Sequence, residues 1–284
     1  MLGASLAFAG MAAAIKLATL HGLTTAQILF FRGAVSLVLL AFYQQAKGLP
    51  FATPHWKAHL RRGIVSFLGM LTYVGAIAAL PLGTAITLNY TSPLMLALML
   101  RLIYREQHQS HLLASLVAGL AGIVLLLQPT YDRSQWLGGV MGLASAVFAA
   151  IAALNIRALG RLEEPPARTV LYFSLCITLG ALPMLLFGSG PPLDLAGLAD
   201  VVAVGVLATL GQFMLTLAYQ RGHTLIVSLL GYSQVILTSL MGIALWGTHP
   251  SGSAWLGMGL VIVSGAIGPL TAFNGRQSAS RASP

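Results

Sequence analysis

The chain has 284 residues, 57% of them hydrophobic and only 7% charged, where a soluble domain carries roughly a quarter. So few charges cannot cover a soluble protein of this size, and the apolar content excludes disorder despite 31 glycines and 13 prolines. With about 20 residues needed per crossing of the hydrocarbon, the length allows about a dozen spans and no soluble domain. The net charge of +9 is not a nucleic-acid signal, because the basic residues sit in short loops between apolar blocks.

Ten apolar blocks follow one another, at about 2–20, 24–45, 62–80, 82–104, 111–128, 137–157, 168–187, 196–219, 223–246 and 253–271. Turn chemistry marks several of the joints, among them Lys47-Gly48-Leu49-Pro50, Gln128-Pro129 and Gly188-Ser189-Gly190-Pro191-Pro192. The first block is alanine-rich but lacks the basic region of a signal peptide. Since it starts at residue 2, a short natural tail ahead of it is expected. The single cysteine, Cys176, falls within the apolar run 170–187 and reads as a buried, inert thiol.

With the N-terminus inside, the loops on that side hold Lys47, Lys57, Arg61, Arg62, Arg101, Arg105, Arg157, Arg161, Arg168, Arg221, Arg276 and Arg281, and the other side holds only Arg133. That imbalance predicts both termini in the cytoplasm. Trp136, Trp246 and Trp255 fall at outer span ends, where indole favours the interface. The sequon Asn89-Tyr90-Thr91 lies inside a span and is set aside. The Ala, Leu, Gly and Arg usage suggests a GC-rich bacterium, hence a multi-pass protein of the bacterial inner membrane.

The two halves are alike. Ala79-Leu80-Pro81-Leu82-Gly83-Thr84 matches Ala218-Tyr219-Gln220-Arg221-Gly222-His223, and Tyr90-Thr91-Ser92-Pro93-Leu94 matches Tyr232-Ser233-Gln234-Val235-Ile236. The register shifts by three residues between the two matches. Each half closes on a glycine-rich span, and blocks 5 and 10 carry small residues at close spacing, Ala118-x3-Gly122 and Ser253-x3-Gly257. Five spans is an odd number, so the second copy would be inserted upside down. Inverted repeats of this kind build alternating-access transporters with a site near the midplane. The expected organisation is a first five-helix repeat over 1–128, an inverted second over 137–271, and a cytoplasmic tail over 272–284.

Ala14-Ile15-Lys16, Phe30-Phe31-Arg32 and an Ala…Gly…Tyr…Pro pattern ending in Glu106 resemble the drug/metabolite transporter superfamily, in particular its ten-helix EamA-type exporters. The likeness spans essentially the whole chain and is nearest to bacterial aromatic amino-acid exporters. It implies two five-helix halves around a central cavity, with helices 1–4 and 6–9 lining it and 5 and 10 bracing the outside. The family pattern closes helices 4 and 9 with Gly-Glu, whereas this chain has Arg105-Glu106 and Gly247-Thr248.

Polar groups in apolar spans are costly and therefore candidate functional residues. Asn89, Tyr90, Ser92 and Pro93 cluster in block 4, and Tyr232, Ser233 and Gln234 in the matching part of block 9. Pro93 removes a backbone donor and is expected to kink its helix. Tyr73 and Gln212 either line the same site or bond between helices. Lys16 is close enough to its span end to snorkel, or to pair with a substrate carboxylate. Arg32 lies nearest mid-membrane among the charged residues and either braces neighbouring carbonyls or meets substrate. Asp200, Glu106 and Asn155 read as interfacial.

Uncharged polar groups, tyrosine rings and a cation suit a small amphiphile with an apolar or aromatic side chain and a carboxylate. The function read from this is export of amino acids or related metabolites by facilitated diffusion. A sugar-phosphate or nucleotide-sugar antiporter and a multidrug exporter are the alternatives, the first of which would call for more basic residues. An intramembrane enzyme is disfavoured, because all seven histidines fall in loops or at span ends and no two carboxylates meet in mid-span. Channel and primary-pump readings lack a polar filter and a GxxxxGK[ST] motif. The expected partners are a small-molecule substrate and the lipid bilayer, without nucleic acid, metal or cofactor, in a monomer or weak homodimer.

Overall fold

A computed structural model of the chain describes residues 1–105, 110–130, 132, 135–188, 190–247 and 249–281, with side chains described as far as 266. Glu106, His108, Arg133 and Thr248 therefore lie outside the described residues. Every described element is a helix: α1 Leu2–Leu20, α2 Thr25–Ala46, α3 Trp56–Ala79, α4 Leu82–Asn89, α5 Ser92–Leu102, α6 Ser110–Leu127, α7 Trp136–Arg161, α8 Pro166–Leu186, α9 Leu195–Arg221, α10 Thr224–Gly231, α11 Ser233–Trp246 and α12 Gly252–Arg281. Taking α4 with α5 and α10 with α11, 9 stretches among the described residues are long and apolar enough to span a membrane. The apolar part of α12, Gly252–Ala266, adds a shorter one. Only a helix or a closed barrel satisfies its own backbone in lipid.

The helices start where the local chemistry caps them. The Thr24 hydroxyl accepts from Gln27 N while the Gln27 side chain accepts from Thr24 N at 2.9 Å, a capping box at the head of α2. Asp194 Oδ1 accepts from Gly197 N at 2.7 Å at the head of α9. The largest departure from the apolar blocks is α3, which begins at Trp56 rather than near 62. Lys57, Arg61 and Arg62 mask its first turns in any hydropathy reading. In the structure these first turns are helical, with His59 and Arg62 buried (1% and 2% exposed), His59 beside Glu164 and Arg62 donating to Thr169 O. Cys176 is half-buried rather than enclosed.

Two helices are broken. Block 4 divides into α4 and α5 around Tyr90-Thr91, ahead of Pro93, and block 9 divides into α10 and α11 at Tyr232. Both leading pieces have 8 residues. Leu82 and Thr224 open them and Tyr90 and Tyr232 cap them, each pair 142 residues apart. The same interval joins Arg105 to Gly247, which stand just past α5 and α11 with φ of 53° and 61°. This is the left-handed conformation that ends a helix and favours glycine. The starts and caps of the two leading pieces thus keep the register of the tyrosines. The match of 79–84 with 218–223 instead sets the end of α3 against a stretch still inside α9, which runs to Arg221.

The chain forms two compact units, one of 1–67, 154–222 and 237–247 and the other of 68–153, 223–236 and 248–284. In the first, α1 packs on α9 and α2 on α8 and α9. Ala14, Ala18, Leu23, Ile28, Val201 and Val204 form a core between α1, α2 and α9. Glycines allow the close approach: Gly211 faces Phe8, Gly205 faces Val35 and Gly33 faces Thr178. In the second, α6 packs on α12, and α3 meets α7 where Gly69 faces Phe148, Gly75 faces Met141 and Gly138 faces Leu80.

Candidate functional site

The second unit gathers most of the candidate polar residues around the two breaks. Pro93, buried in the first turn of α5, has no N–H to donate backwards. Asn89, the last residue of α4, donates through Nδ2 to Ser145 Oγ of α7 at 3.0 Å, and Ser145 Oγ donates to Gly142 O at 2.6 Å. Asn89 is therefore both at the break and tied to its neighbour. The Tyr90 and Tyr232 rings meet with centroids 6.0 Å apart at 53°. Tyr73 of α3 is half-buried in the same unit. Tyr232 is fully buried against Gly119 of α6, where an added Cβ would come within 2.8 Å of the ring and of Ser264 Oγ.

The other polar residues of the breaks differ in what they can offer. Ser233 Oγ donates to Leu230 O at 2.7 Å, back onto its own helix. Ser92 and Gln234 are half-buried. Tyr73, Asn89, Tyr90, Ser92, Tyr232, Ser233 and Gln234 thus belong to one unit, and Lys16, Arg32 and Gln212 to the other.

In the first unit, Lys16 is exposed one turn from the end of α1, with its ammonium 4.0 Å from the ring centroid of Trp246, the last residue of α11. A cation over indole is held by the ring quadrupole. Nothing in the sequence pairs residues 16 and 246. Arg32 is half-buried in α2, and among the described residues no carboxylate pairs with its guanidinium. Gln212 is half-buried in α9. Asp200 of α9 is occupied by His21, with Nδ1 and Oδ2 2.5 Å apart. The Asp200 hydrogen bond and charge raise the pKa of His21, which stands just beyond α1.

Loop residue Glu164 is a feature the sequence reading passed over. It is 5% exposed and accepts hydrogen bonds from Thr53 Oγ1 and, at 2.9 Å, from Arg168 Nη1, with His59 Nε2 3.2 Å away. Around it, Arg168 Nε donates to Pro50 O at 3.0 Å, Gln220 Nε2 donates to Glu164 O at 3.1 Å, and Arg62 Nη1 donates to Thr169 O at 2.9 Å. Burial works against the charge, but the hydrogen bonds from Thr53 and Arg168, with the His59 ring beside them, outweigh it and hold the carboxyl below its ordinary range. Asn155 is buried too. No group of three or more His, Cys, Asp or Glu among the described residues could hold a metal ion.

A polytopic helical protein with paired helix breaks and polar side chains gathered at membrane depth has the build of a transporter. The chain belongs to the EamA-like transporter family, which matches residues 1–128 and again 136–267. It is 30% identical over 261 residues to the pseudopaline exporter CntI of Pseudomonas aeruginosa, covering 92% of this chain and 91% of that one. It is also 30% identical over 207 residues to a riboflavin transporter of Rhizobium johnstonii (73% of this chain, 68% of that one), and 26% identical over 275 residues to a riboflavin transporter of Vibrio cholerae (94% and 90%). A solved crystal structure shares the fold with a TM-score of 0.84 at 20% identity, covering 95% of this chain and 97% of that one. The protein is a multi-pass membrane transporter of small molecules and not an enzyme.

Proposed function

We propose that the protein exports small amphiphilic metabolites, foremost amino acids with aromatic or other apolar side chains, by alternating access and facilitated diffusion. The observation that carries this reading is the pair of helix breaks, each capped by a tyrosine at the same interval along the chain, with the two rings in contact. Tyrosine rings, amides and hydroxyls at such breaks suit a solute with an apolar body and a polar head. Relatives named for exporting one metabolite and transporting another support the class.

The two halves, 1–128 and 137–271, are read as inverted five-helix repeats, followed by a cytoplasmic tail over 272–284. The family matches each half separately. Several packing pairs support such an exchange of halves. The first span (α1) packs on the eighth (α9), and the third (α3) on the sixth (α7). The second (α2) packs on the seventh (α8), and the fifth (α6) on the tenth (α12). The contact of α2 with α9, made by Thr209 Oγ1 donating to Ser36 Oγ at 2.7 Å, has its counterpart in that of α3 with α8, where Gly63 faces Cys176. The Lys and Arg imbalance supports cytoplasmic termini in a bacterial inner membrane.

Facilitated diffusion rests on the charges. Among the described acids, Asp132, Glu163, Glu164 and Asp194 lie in loops, and Asp200 is in the second turn of α9, paired with His21. Proton coupling commonly uses a carboxylate or histidine deeper in the membrane. The site is tested by Asn89→Ala and Tyr90→Ala in a binding assay on purified protein with L-phenylalanine as the probe. Each should weaken binding by about 1–3 kcal/mol, or roughly five- to a hundredfold. Unchanged affinity in both would move the site away from the breaks.

A further inference from the structure

The breaks free main-chain acceptors as well as positioning side chains. In an unbroken helix the Asn89 carbonyl would accept from the N–H of residue 93, which is proline. The Tyr90 carbonyl would accept from Leu94, but Leu94 N donates to Thr91 O at 2.9 Å, an acceptor it shares with Met95 N at 3.1 Å. In the other break the Gly231 carbonyl would accept from Val235, whose N–H instead donates to Tyr232 O at 3.1 Å. The Leu230 carbonyl is satisfied by Ser233 Oγ at 2.7 Å. Three carbonyls, of Asn89, Tyr90 and Gly231, have thus lost their helical donors, all in one compact unit and each belonging to, or next in the chain to, one of two tyrosines whose rings meet 6.0 Å apart.

An unpaired carbonyl at membrane depth is costly. The surrounding sequence offers nothing charged to satisfy it, since 82–100 and 224–246 contain no Lys, Arg, Asp or Glu. Three acceptors without a competing cation favour a ligand that brings its own donors. A primary ammonium has three N–H groups, and its charge is further stabilised by aromatic faces. We propose that the carbonyls of Asn89, Tyr90 and Gly231, flanked by Tyr90 and Tyr232, form the subsite for the primary ammonium group of the transported solute. This deepens the export reading above and rests on it. It restricts the preferred substrates to amphiphiles that carry an amine as well as an apolar body. Recognition by main chain also explains why no acidic side chain is needed for a cationic head.

The test is equilibrium binding to the full-length protein in lipid nanodiscs, with L-phenylalanine and 3-phenylpropanoate as probes, which differ by the amino group. Wild type should bind phenylalanine about tenfold or more tightly than its desamino counterpart, as expected for a charged hydrogen-bonded group. Pro93→Ala returns an N–H to the Asn89 carbonyl. It should bring the two affinities to within about threefold by weakening phenylalanine alone, and retained binding of 3-phenylpropanoate reports that the variant is folded. A preference that survives Pro93→Ala overturns the subsite and leaves the export reading intact. Equal binding of both probes by wild type also overturns it, assigning the carbonyls to water. A phenylalanine preference that exists in sodium but not in choline medium, and that loses its sodium dependence in Pro93→Ala, overturns it in favour of a metal cation. Binding of neither probe by wild type removes the amino-acid reading itself, and the subsite with it.

Discussion

Two regions, one in each compact unit, are held together by different means. In the first, a carboxylate and two guanidinium groups are buried where α3, α8 and α9 meet the loops, with Glu164 joined to Thr53 and Arg168, and Arg62 to Thr169. In the second, α6 and α12 cross glycine on glycine, so close that a Cβ on Gly122 would lie 2.7 Å from the Gly257 carbonyl. The difference follows from the side chains at hand: loop carbonyls and hydroxyls can satisfy a buried ion, whereas small residues facing each other let two backbones pack closely.

The sharpest way to break this contrast is Glu164→Gln. It leaves Arg168 and His59 without their anion and should cost about 3–5 kcal/mol in thermal or denaturant unfolding. The carboxyl is held below its ordinary 4.5, so its contribution is fully present above that value and is lost as pH falls through the lowered one. Wild type should therefore lose stability on acidification below that range, and the variant should lose less. A smaller effect is expected from Gly122→Leu, about 1–3 kcal/mol from forcing α6 and α12 apart, with no pH dependence. A pH-dependent loss there would erase the distinction between the units.

The smallest effect concerns the two positive-φ residues that share the interval of the tyrosines. Arg105 holds φ of 53° where its counterpart Gly247 holds 61°. Arg105→Gly should stabilise by up to about 1 kcal/mol, less the added entropy of the unfolded chain. A loss of stability in a melting assay would mean that the Arg105 side chain contributes more than its backbone strain costs.

What the sequence made legible was whatever depends on hydropathy and local steric rules. Ten blocks became helices because apolar runs of that length have no other way to satisfy their backbone in lipid. Pro93 announced the first break through its missing N–H, and the Gly122 and Gly257 seam followed from small residues at close spacing. Tyr90 and Tyr232 were matched by likeness alone, and the structure brings their rings together. The break at Tyr232 had no proline to announce it. Features that depend on contacts distant in the chain stayed hidden. Glu164 read as a loop carboxylate because Thr53 and His59, which bury it, are more than 100 residues away. The early start of α3 was masked by the same charges that the fold pairs, and Trp246 read as an interface anchor before its ring was found beneath Lys16.

The most direct test of the transport account is flux in proteoliposomes that hold no pH gradient, with radiolabelled L-phenylalanine as the probe. Facilitated diffusion predicts saturable equilibration and counterflow that stop at equal concentrations, and that Asn89→Ala and Tyr90→Ala slow. Accumulation above equilibrium driven by an imposed pH gradient, and abolished by Lys16→Met, would contradict it and make Lys16 the coupling group.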